Sequence, residues 1–164
     1  MPDKPAESHK IRYLHGDQTL LSQIKPLWEK LNQYHCVRSE HFKEHYKAMT
    51  FENRCNGLLK KAAGGQLRVD LAVYDATGQG VGYVISTINS EKVGEVESVY
   101  VEEDFRRNGV GDQLMRNALA WMDQNGVASK QVEVSVGNEV AWSFYRRFGF
   151  LPRKTLLKQK TLPS

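Results

Sequence analysis

The residues Gly94-Glu-Val-Glu-Ser-Val-Tyr-Val101 run directly into Glu102-Glu-Asp-Phe-Arg-Arg-Asn-Gly-Val-Gly111, and this junction decides the fold. Valine and tyrosine favour extended backbone, so the first part predicts a strand over Val93–Val101. From Val110 to Met122 the apolar residues recur at helical spacing, and Asn125-Gly126 predicts the end of the helix. A strand therefore passes into a helix through the hexapeptide Arg106–Gly111.

This hexapeptide has the features of an anion-binding loop. The first turn of a helix has backbone N–H groups without partners and carries the positive end of the helix dipole. Gly109 and Gly111 let the backbone approach a phosphate closely, and Arg106 and Arg107 add positive charge. We expect the loop to bind a pyrophosphate, although a simple tight turn is the alternative for the hexapeptide taken in isolation.

The rest of the chain predicts strands and helices on both sides of this junction. Further strands are expected at His9–Leu14, Leu67–Asp75, Val81–Asn89, Gln131–Val136 and Thr155–Lys160, with a hairpin turn at Ala76–Gly80. Further helices are expected from Asp17 to Leu31, kinked or broken at Pro26, and at Ser39–Met49, Phe51–Ala63 and Asn138–Phe148. The order predicts an α/β fold, in which a mixed, mostly antiparallel central sheet is flanked by helices on both faces.

Length and composition favour one soluble domain. We expect the 164 residues to form a single domain over residues 1–164, with residues 1–7 as a flexible leader. The net charge of +4 favours an anionic ligand, but without a run of like charges it does not predict nucleic-acid binding. The sequence shows neither a signal peptide nor an apolar run of membrane-spanning length. Cys36 and Cys55 cannot form a disulfide framework, so a cytoplasmic protein is expected.

The motif Arg-x-x-Gly-x-Gly at Arg106–Gly111, preceded by Val-Tyr-Val, resembles the acyl-CoA-binding signature of the GNAT superfamily of N-acetyltransferases. Val132–Val136 resembles the next strand of that family, and Asn138-Glu-Val-Ala-Trp-Ser-Phe-Tyr145-Arg-Arg-Phe-Gly-Phe150 resembles its following helix. The resemblance covers about residues 67–160. It implies the acyl-CoA N-acyltransferase fold and acetyl-CoA as the donor of an acetyl group.

The resemblance also implies direct transfer of the acetyl group to a primary amine of a small molecule or a protein N-terminus. Residues 17–63 correspond to the region that shapes the acceptor site in this family, but they resemble it only in the number of helices. The identity of the acceptor amine is therefore not predicted. Two alternatives are a non-catalytic acyl-CoA sensor and a nucleic-acid binder that uses the basic C-terminus. Neither nucleic acid nor a membrane is an expected partner, and a homodimer is left open.

The resemblance further implies which residues bind the cofactor. Backbone groups of Val99, Tyr100 and Val101 would contact the pantetheine arm and the oxyanion. Arg106, Arg107, Asn108, Gly109, Val110 and Gly111 would hold the pyrophosphate. Asn138, expected as a helix N-cap seven residues before Tyr145, would touch the pantetheine.

Acetyl transfer also needs a base and an acid. By strand alternation Glu95 and Glu97 share a face with Val99 and Val101, at about 13 Å and about 7 Å from Val99. Glu97 is therefore the favoured base and Glu95 a base acting through water, unless both acids are solvated or paired with Arg or Lys. The resemblance implies that Tyr145 protonates the leaving thiolate, and a core aromatic is its alternative.

His41, Glu44 and His45 fit the pattern H-x-x-E-H of one metalloprotease class. A catalytic zinc needs a third protein ligand, which the sequence does not single out. We expect an exposed helix face and no metal, with His41, His45 or Tyr46 lining the acceptor pocket as a minor role.

Overall fold

In a computed structural model that describes residues 9–161, the chain folds into one five-stranded sheet with helices on both faces. The elements follow one another as β1 (Ile11–Gly16), α1 (Leu21–Arg38), α2 (Lys43–Ala48), α3 (Phe51–Lys61), β2 (Gln66–Tyr74), β3 (Gln79–Ile88), β4 (Val93–Val101), α4 (Val110–Gln124), β5 (Ser129–Val132) and α5 (Ala141–Arg146). Short 3₁₀ turns lie at Gln18–Leu20 and Glu103–Phe105. The leader predicted at residues 1–7 lies outside the described residues.

The strands are neighbours in chain order, β1-β2-β3-β4-β5. The pairs β1–β2, β2–β3 and β3–β4 are antiparallel, and β5 runs parallel to β4. This confirms the predicted mixed, mostly antiparallel sheet. In the described residues 9–161, we find no helix with both the length and the apolar character needed to span a bilayer.

Each face of the sheet carries its own apolar core. Helices α1 and α3 cover one face, where the buried residues are Leu21, Ile24, Leu27, Trp28, Leu58, Val69, Leu71, Val73, Tyr83 and Ile85. Helix α4 covers the other face, where the buried residues are Ala72, Val81, Val84, Ile88, Val96, Val110, Leu114, Met115, Ala118 and Met122. The stripe on α4 matches the helical spacing in the sequence, and burial of each large side chain stabilises the fold by roughly 1.5–3 kcal/mol.

Of the kink or break predicted at Pro26, the break is wrong, since α1 continues through Pro26 to Arg38. Pro26 lies in the second turn on the exposed side of the helix. Only the hydrogen bond to the Ser22 carbonyl is lost there, and that carbonyl belongs to an exposed residue that water can reach. The apolar stripe that includes Ile24 and Trp28 then holds the helix on the sheet.

Several predicted bounds are wrong: α1 covers Leu21–Arg38 instead of Asp17–Leu31, α2 covers Lys43–Ala48 instead of Ser39–Met49, and the elements after α4 differ as well. Strand β5 ends at Val132 instead of Val136, and α5 covers Ala141–Arg146 instead of Asn138–Phe148. The strand predicted at Thr155–Lys160 does not form, and Leu157 is 89% exposed. Alternating residues make a strand only where a neighbouring strand supplies hydrogen bonds, and within residues 9–161 none pairs with this segment. Near the N-terminus, β1 lies two residues later than the predicted His9–Leu14.

Candidate functional site

Strands β4 and β5 separate halfway along β4. Their pairing begins at Val93–Ser129 and ends at Val96–Val132. The segment after Val132 is held by α1 and α2 instead, because the Tyr46 hydroxyl donates to Ser135 Oγ at 3.0 Å and Gly137 packs on Arg38. A Cβ at residue 137 would lie 2.6 Å from the Arg38 carbonyl oxygen, so this approach requires glycine. Within the described residues, β4 therefore has an unpaired edge from residue 97 onward.

The backbone groups at this open edge can be identified from the ladder. The Glu102 N–H donates to the Val81 carbonyl of β3, so Tyr100 and Ser98 face β3 as well. Val99 and Val101 face the opposite way, and the Val101 carbonyl accepts from Arg106 Nε at 2.8 Å. The predicted residues Val99 and Val101 thus present backbone groups to the open edge, whereas Tyr100 does not.

The open edge leads into the N-terminus of α4. Gly109 is the N-cap residue at φ +77°, a left-handed conformation that suits glycine. Among the described residues, the N–H groups of Val110, Gly111 and Asp112 have no hydrogen-bond acceptor. A Cβ at residue 111 would lie 3.7 Å from Val101 Cγ2, so the end of β4 and the first turn of α4 are in contact. Three donors therefore point outward beside the open edge, as anion binding requires.

The loop residues before Gly109 are exposed but differ in their contacts. Arg106 lies back on β4, with its guanidinium 5.5 Å from the centre of the Tyr100 ring. Arg107 adopts φ +64°, and its side chain forms no ion pair within residues 9–161. Asn108 is exposed beside it. Arg107 is thus the cation of this loop that is free to meet an incoming anion.

A β-bulge in β4 overturns the predicted facing of Glu95 and Glu97. Ile85 pairs with Ser98 and Ser86 with Val96, so Glu97 is the extra residue. Because the bulge breaks the alternation, Glu95 and Glu97 face α3, whereas Val99 and Val101 pack in the α4-side core. The predicted shared face with Val99 and Val101 is therefore wrong.

Glu95 and Glu97 both bind Lys61 of α3. Lys61 Nζ lies 2.5 Å from Glu95 Oε2 and 2.9 Å from Glu97 Oε1. The Thr87 hydroxyl donates to Glu97 Oε1 at 2.6 Å, and Gln131 Nε2 donates to Glu95 Oε2 at 3.1 Å. Burial works against the charged form of Lys61, but its bonds to the two carboxylates outweigh burial and raise its pKa. The alternative in which these acids pair with cations is the one observed.

Arg54 completes this cluster, with Nη2 at 3.5 Å from Glu97 Oε2 and 3.1 Å from the Glu97 carbonyl oxygen. Sequence reasoning missed Arg54 and Lys61. The signal was present in their spacing, because residues seven apart on a helix lie on one face. Two cations on one face of α3 could have been matched to two acids on a neighbouring strand.

Tyr145 lies in α5, packed between Phe144 and Phe150 at ring distances of 5.3 and 6.2 Å. Burial raises the pKa of Tyr145 to about 12. Burial is also the main cause of the raised pKa of Tyr83, and the proximity of Tyr145 adds to it. Tyr83 Oη contacts Ser98 Oγ at 3.2 Å beside the bulge.

The prediction that Asn138 is the N-cap of α5 is wrong, because Val140 occupies that position. The Asn138 carbonyl accepts from the Ala141 N–H at 3.0 Å, and the residue lies in the turn before the helix. The preceding residue, Gly137, packs closely on Arg38, and the regular helix begins only at Ala141. Asn138 and Tyr145 therefore do not share one helix face.

His35 is a further residue that sequence reasoning missed. It continues the sheet-facing stripe of α1 after Leu31, beside the rings of Tyr34 and Tyr46 at 5.8 and 5.7 Å. Burial, with a smaller contribution from Arg38, lowers its pKa. Its Nδ1 atom is buried and has no hydrogen-bond partner within residues 9–161. The sequence did contain a signal for this position, because His35 lies four residues after Leu31 and therefore on the same face of the helix.

His41 and His45 do not lie together on one helix, because α2 begins at Lys43. His41 is exposed and lies 3.7 Å from Glu40. Within residues 9–161, we find no group of three His, Cys, Asp or Glu side chains that could hold a metal ion. A separate open cleft of about 460 Å³ lies between α1 and the start of α3, over Trp28 and Phe51.

Comparisons with known proteins agree with this architecture. An N-alpha-acetyltransferase of Sulfolobus acidocaldarius is 34% identical over 96 residues, which are 51% of this chain and 57% of the relative. An uncharacterized N-acetyltransferase of Methanocaldococcus jannaschii is 33% identical over 84 residues, 48% of this chain and 37% of the relative. The chain therefore spans between about a third and somewhat more than half of the length of these relatives.

Among solved structures, the enzyme AAC(6')-Iy in complex with the bisubstrate analog CoA-S-monomethyl-acetylneamine superposes with a TM-score of 0.63 at 18% identity. The match covers 93% of this chain and 99% of that one, and at this identity it shows a shared fold. The family model described as "Acetyltransferase (GNAT) family" matches residues 27–150, well over half of the sequence. With the separated strands β4 and β5 and the glycine-capped α4, this match shows that the chain belongs to the GNAT acetyltransferase family.

Proposed function

We propose that this protein is an acetyl-CoA-dependent N-acetyltransferase that moves the acetyl group directly to a primary amine. One observation carries the proposal. The open edge of β4 leads directly to the three free N–H groups at the start of α4. An extended amide-containing arm fits the edge, and a pyrophosphate fits the helix N-terminus. Acetyl-CoA joins both chemical groups in one molecule.

In this proposal the cofactor binds through backbone more than through side chains. The pyrophosphate accepts hydrogen bonds from Val110, Gly111 and Asp112 and meets the charge of Arg107. Asn108 and Gly109 shape the loop. The pantetheine arm lies along β4 as an added strand, bonded to Val99 and Val101, and Asn138 lines the far side. Arg106, held on Val101, closes the end of the edge.

The proposed chemistry forms a C–N bond and breaks the C–S bond of the thioester. The neutral amine attacks the acetyl carbonyl, and the Val99 N–H stabilises the oxyanion. A water held by Glu97, with Glu95 as the weaker candidate, accepts the proton that the amine loses, because both carboxylates are already bonded to Lys61. Tyr145 donates a proton to the departing thiolate. With a pKa of about 12, Tyr145 carries that proton at neutral pH.

The acceptor in this proposal is a primary amine of a small molecule or a protein N-terminus. The Sulfolobus acidocaldarius relative is named for N-alpha acetylation, whereas the AAC(6')-Iy complex contains an acetylneamine. The amine would enter from the α1 and α2 side, past Tyr46 and His35. We further propose a cytoplasmic location, since Cys36 and Cys55 are unpaired, as is usual in reducing compartments. The proposal is compatible with either a monomer or a homodimer.

A second candidate is an acyl-CoA sensor without turnover. The observation that favours it is the state of Glu97, whose side chain is only 3% exposed and whose two oxygens contact Thr87, Lys61 and Arg54. A carboxylate with its acceptor sites occupied is a poor proton acceptor unless a water or the substrate enters.

The experiment that separates these functions combines acetyl-CoA with a panel of amines that contains peptides with free N-termini, polyamines and aminoglycosides. Release of CoA thiol is followed with a thiol reagent, and the acetylated amine is identified by mass. Thiol release matched by an acetylated product supports the enzyme. Binding of acetyl-CoA without product from any class supports the sensor.

A further inference from the structure

The bulge at Glu97 leaves a backbone group without a ladder partner. In a regular antiparallel pair each carbonyl has a partner on the neighbouring strand or at the free edge. Here the Glu97 carbonyl accepts from Arg54 Nη2 at 3.1 Å, while the same guanidinium lies 3.5 Å from Glu97 Oε2. One side chain of α3 therefore holds both the backbone and the side chain of the extra residue.

Arg54 is itself well anchored. The Thr50 hydroxyl accepts from the Asn53 N–H at 3.1 Å and caps α3 directly before Arg54. One turn later, Leu58 is completely buried under the sheet. Two turns later, Lys61 holds the carboxylates of Glu95 and Glu97. Helix α3 is thus fixed in register with the bulged part of β4, and the Arg54 side chain is only 28% exposed.

The bulge sets the direction of the groups that the proposed reaction uses. Ser98 returns to β3 after the bulge, so Val99 is the first residue whose N–H faces the open edge. A change in the backbone at Glu97 would rotate the Val99 N–H and displace the Glu97 carboxylate together. These are the groups proposed for the oxyanion and for the base.

We propose that Arg54 is a positioning residue for acetyl transfer, which holds the Glu97 bulge so that the Val99 N–H and the Glu97 carboxylate face the reacting atoms. This inference rests on the proposed function. The role requires a guanidinium, because its planar set of donors can bond a carbonyl and a carboxylate at once, whereas a lysine ammonium is a compact charge on a flexible stem. Arg54 does not touch the substrate in this proposal.

The test compares Arg54→Lys and Arg54→Gln with the control Lys60→Gln, an exposed residue of the same helix. Both Arg54 variants should lower kcat by about 10–100-fold, since small misplacements of reacting groups have effects of this size. The affinity for CoA should change little, because the pyrophosphate donors lie on α4. Lys60→Gln should match the wild type. Unchanged kcat in folded Arg54→Lys and Arg54→Gln, with at most a lower Tm, would overturn the proposal.

A second readout needs no turnover. The Ser98 amide, which faces β3 beside the bulge, should exchange its hydrogen faster in Arg54→Lys than in the wild type or in Lys60→Gln. This measurement remains decisive if the wild type binds acetyl-CoA but acetylates no amine, which would refute the proposed function separately. Equal Ser98 exchange rates in Arg54→Lys and the wild type would show that Arg54 does not hold the bulge.

Discussion

Val96 of β4 and Val132 of β5 are the last residues that pair these two parallel strands, and the bulge of β4 follows at the very next residue, Glu97. The loss of the partner strand and the change of backbone direction therefore occur together. Val99 and Val101 then face an open edge that leads to the N-terminus of α4. This arrangement places the proposed oxyanion donor, Val99, next to the proposed pyrophosphate site at the start of α4.

Gly109→Asp should abolish most of the stabilisation by CoA. Wild-type protein at a CoA concentration of 100 times Kd should gain about 2.7 kcal/mol of unfolding free energy by linkage. The new carboxylate would repel the pyrophosphate from the N–H groups of Val110–Asp112. Gly126→Asp is the matched control, because Gly126 lies just beyond the other end of α4 at φ +65° and is equally open. Thermal melts with and without CoA measure both, and equal CoA stabilisation of the two variants would refute the assigned phosphate site.

Tyr145→Phe should slow turnover while CoA affinity stays nearly unchanged. The hydroxyl acts on a charge that exists only in the transition state, so its loss should raise the barrier by about 3–5 kcal/mol at most. With a pKa of about 12, Tyr145 should produce no alkaline decline of kcat at pH values well below 12. Tyr13→Phe on the far strand β1 is the control. Full kcat in Tyr145→Phe would make this tyrosine a core aromatic only.

Lys61→Met should destabilise the fold by about 1–3 kcal/mol, because it leaves two buried carboxylates close together without their shared cation. Adding Glu95→Gln to Lys61→Met should recover part of the loss, since one of the two charges is then removed. Denaturant unfolding of the two single variants and the double variant measures this coupling. Strictly additive losses would show that Lys61 and Glu95 do not interact in solution.

Stability should fall on acidification because of His35. Its folded-state pKa lies below 6.5, so the unfolded chain binds the proton more readily as pH falls. The contribution of His35 is complete above about pH 6.5 and is lost as pH falls toward its folded-state pKa. His35→Gln should flatten the change in unfolding free energy between pH 7.5 and 5.5 relative to the wild type. Parallel pH profiles for His35→Gln and the wild type would contradict the burial of a neutral imidazole.

The local elements of the site could be predicted from the sequence. Valine-rich alternation predicts β4, and the apolar stripe from Val110 predicts α4, because both signals depend on neighbouring residues only. The role of Gly109 at the start of α4 could be predicted in the same way, because a glycine directly before a helix allows the loop to turn tightly. These elements formed as expected, and with them the N-terminus of α4 beside the end of β4.

The remaining features depend on contacts between distant parts of the chain. The bulge at Glu97 is defined by its register with β3, so strand alternation alone placed Glu95 and Glu97 on the wrong face. Before α5, Gly137 packs on Arg38, about a hundred residues earlier in the chain, and such a long-range contact cannot be read from local sequence. Among residues 9–161, no strand pairs with the Thr155–Lys160 segment. Each of these outcomes is decided by tertiary packing, which a single sequence does not display.

The most direct test of the account is to map CoA binding by the amide NMR shifts of the wild-type protein. We expect the largest shifts at Val99, Val101 and the first turn of α4, Val110–Asp112, with little change along β1. Shifts concentrated instead around Trp28 and Phe51, in the cleft between α1 and α3, would contradict the central claim that the open edge of β4 and the N-terminus of α4 form the acetyl-CoA site.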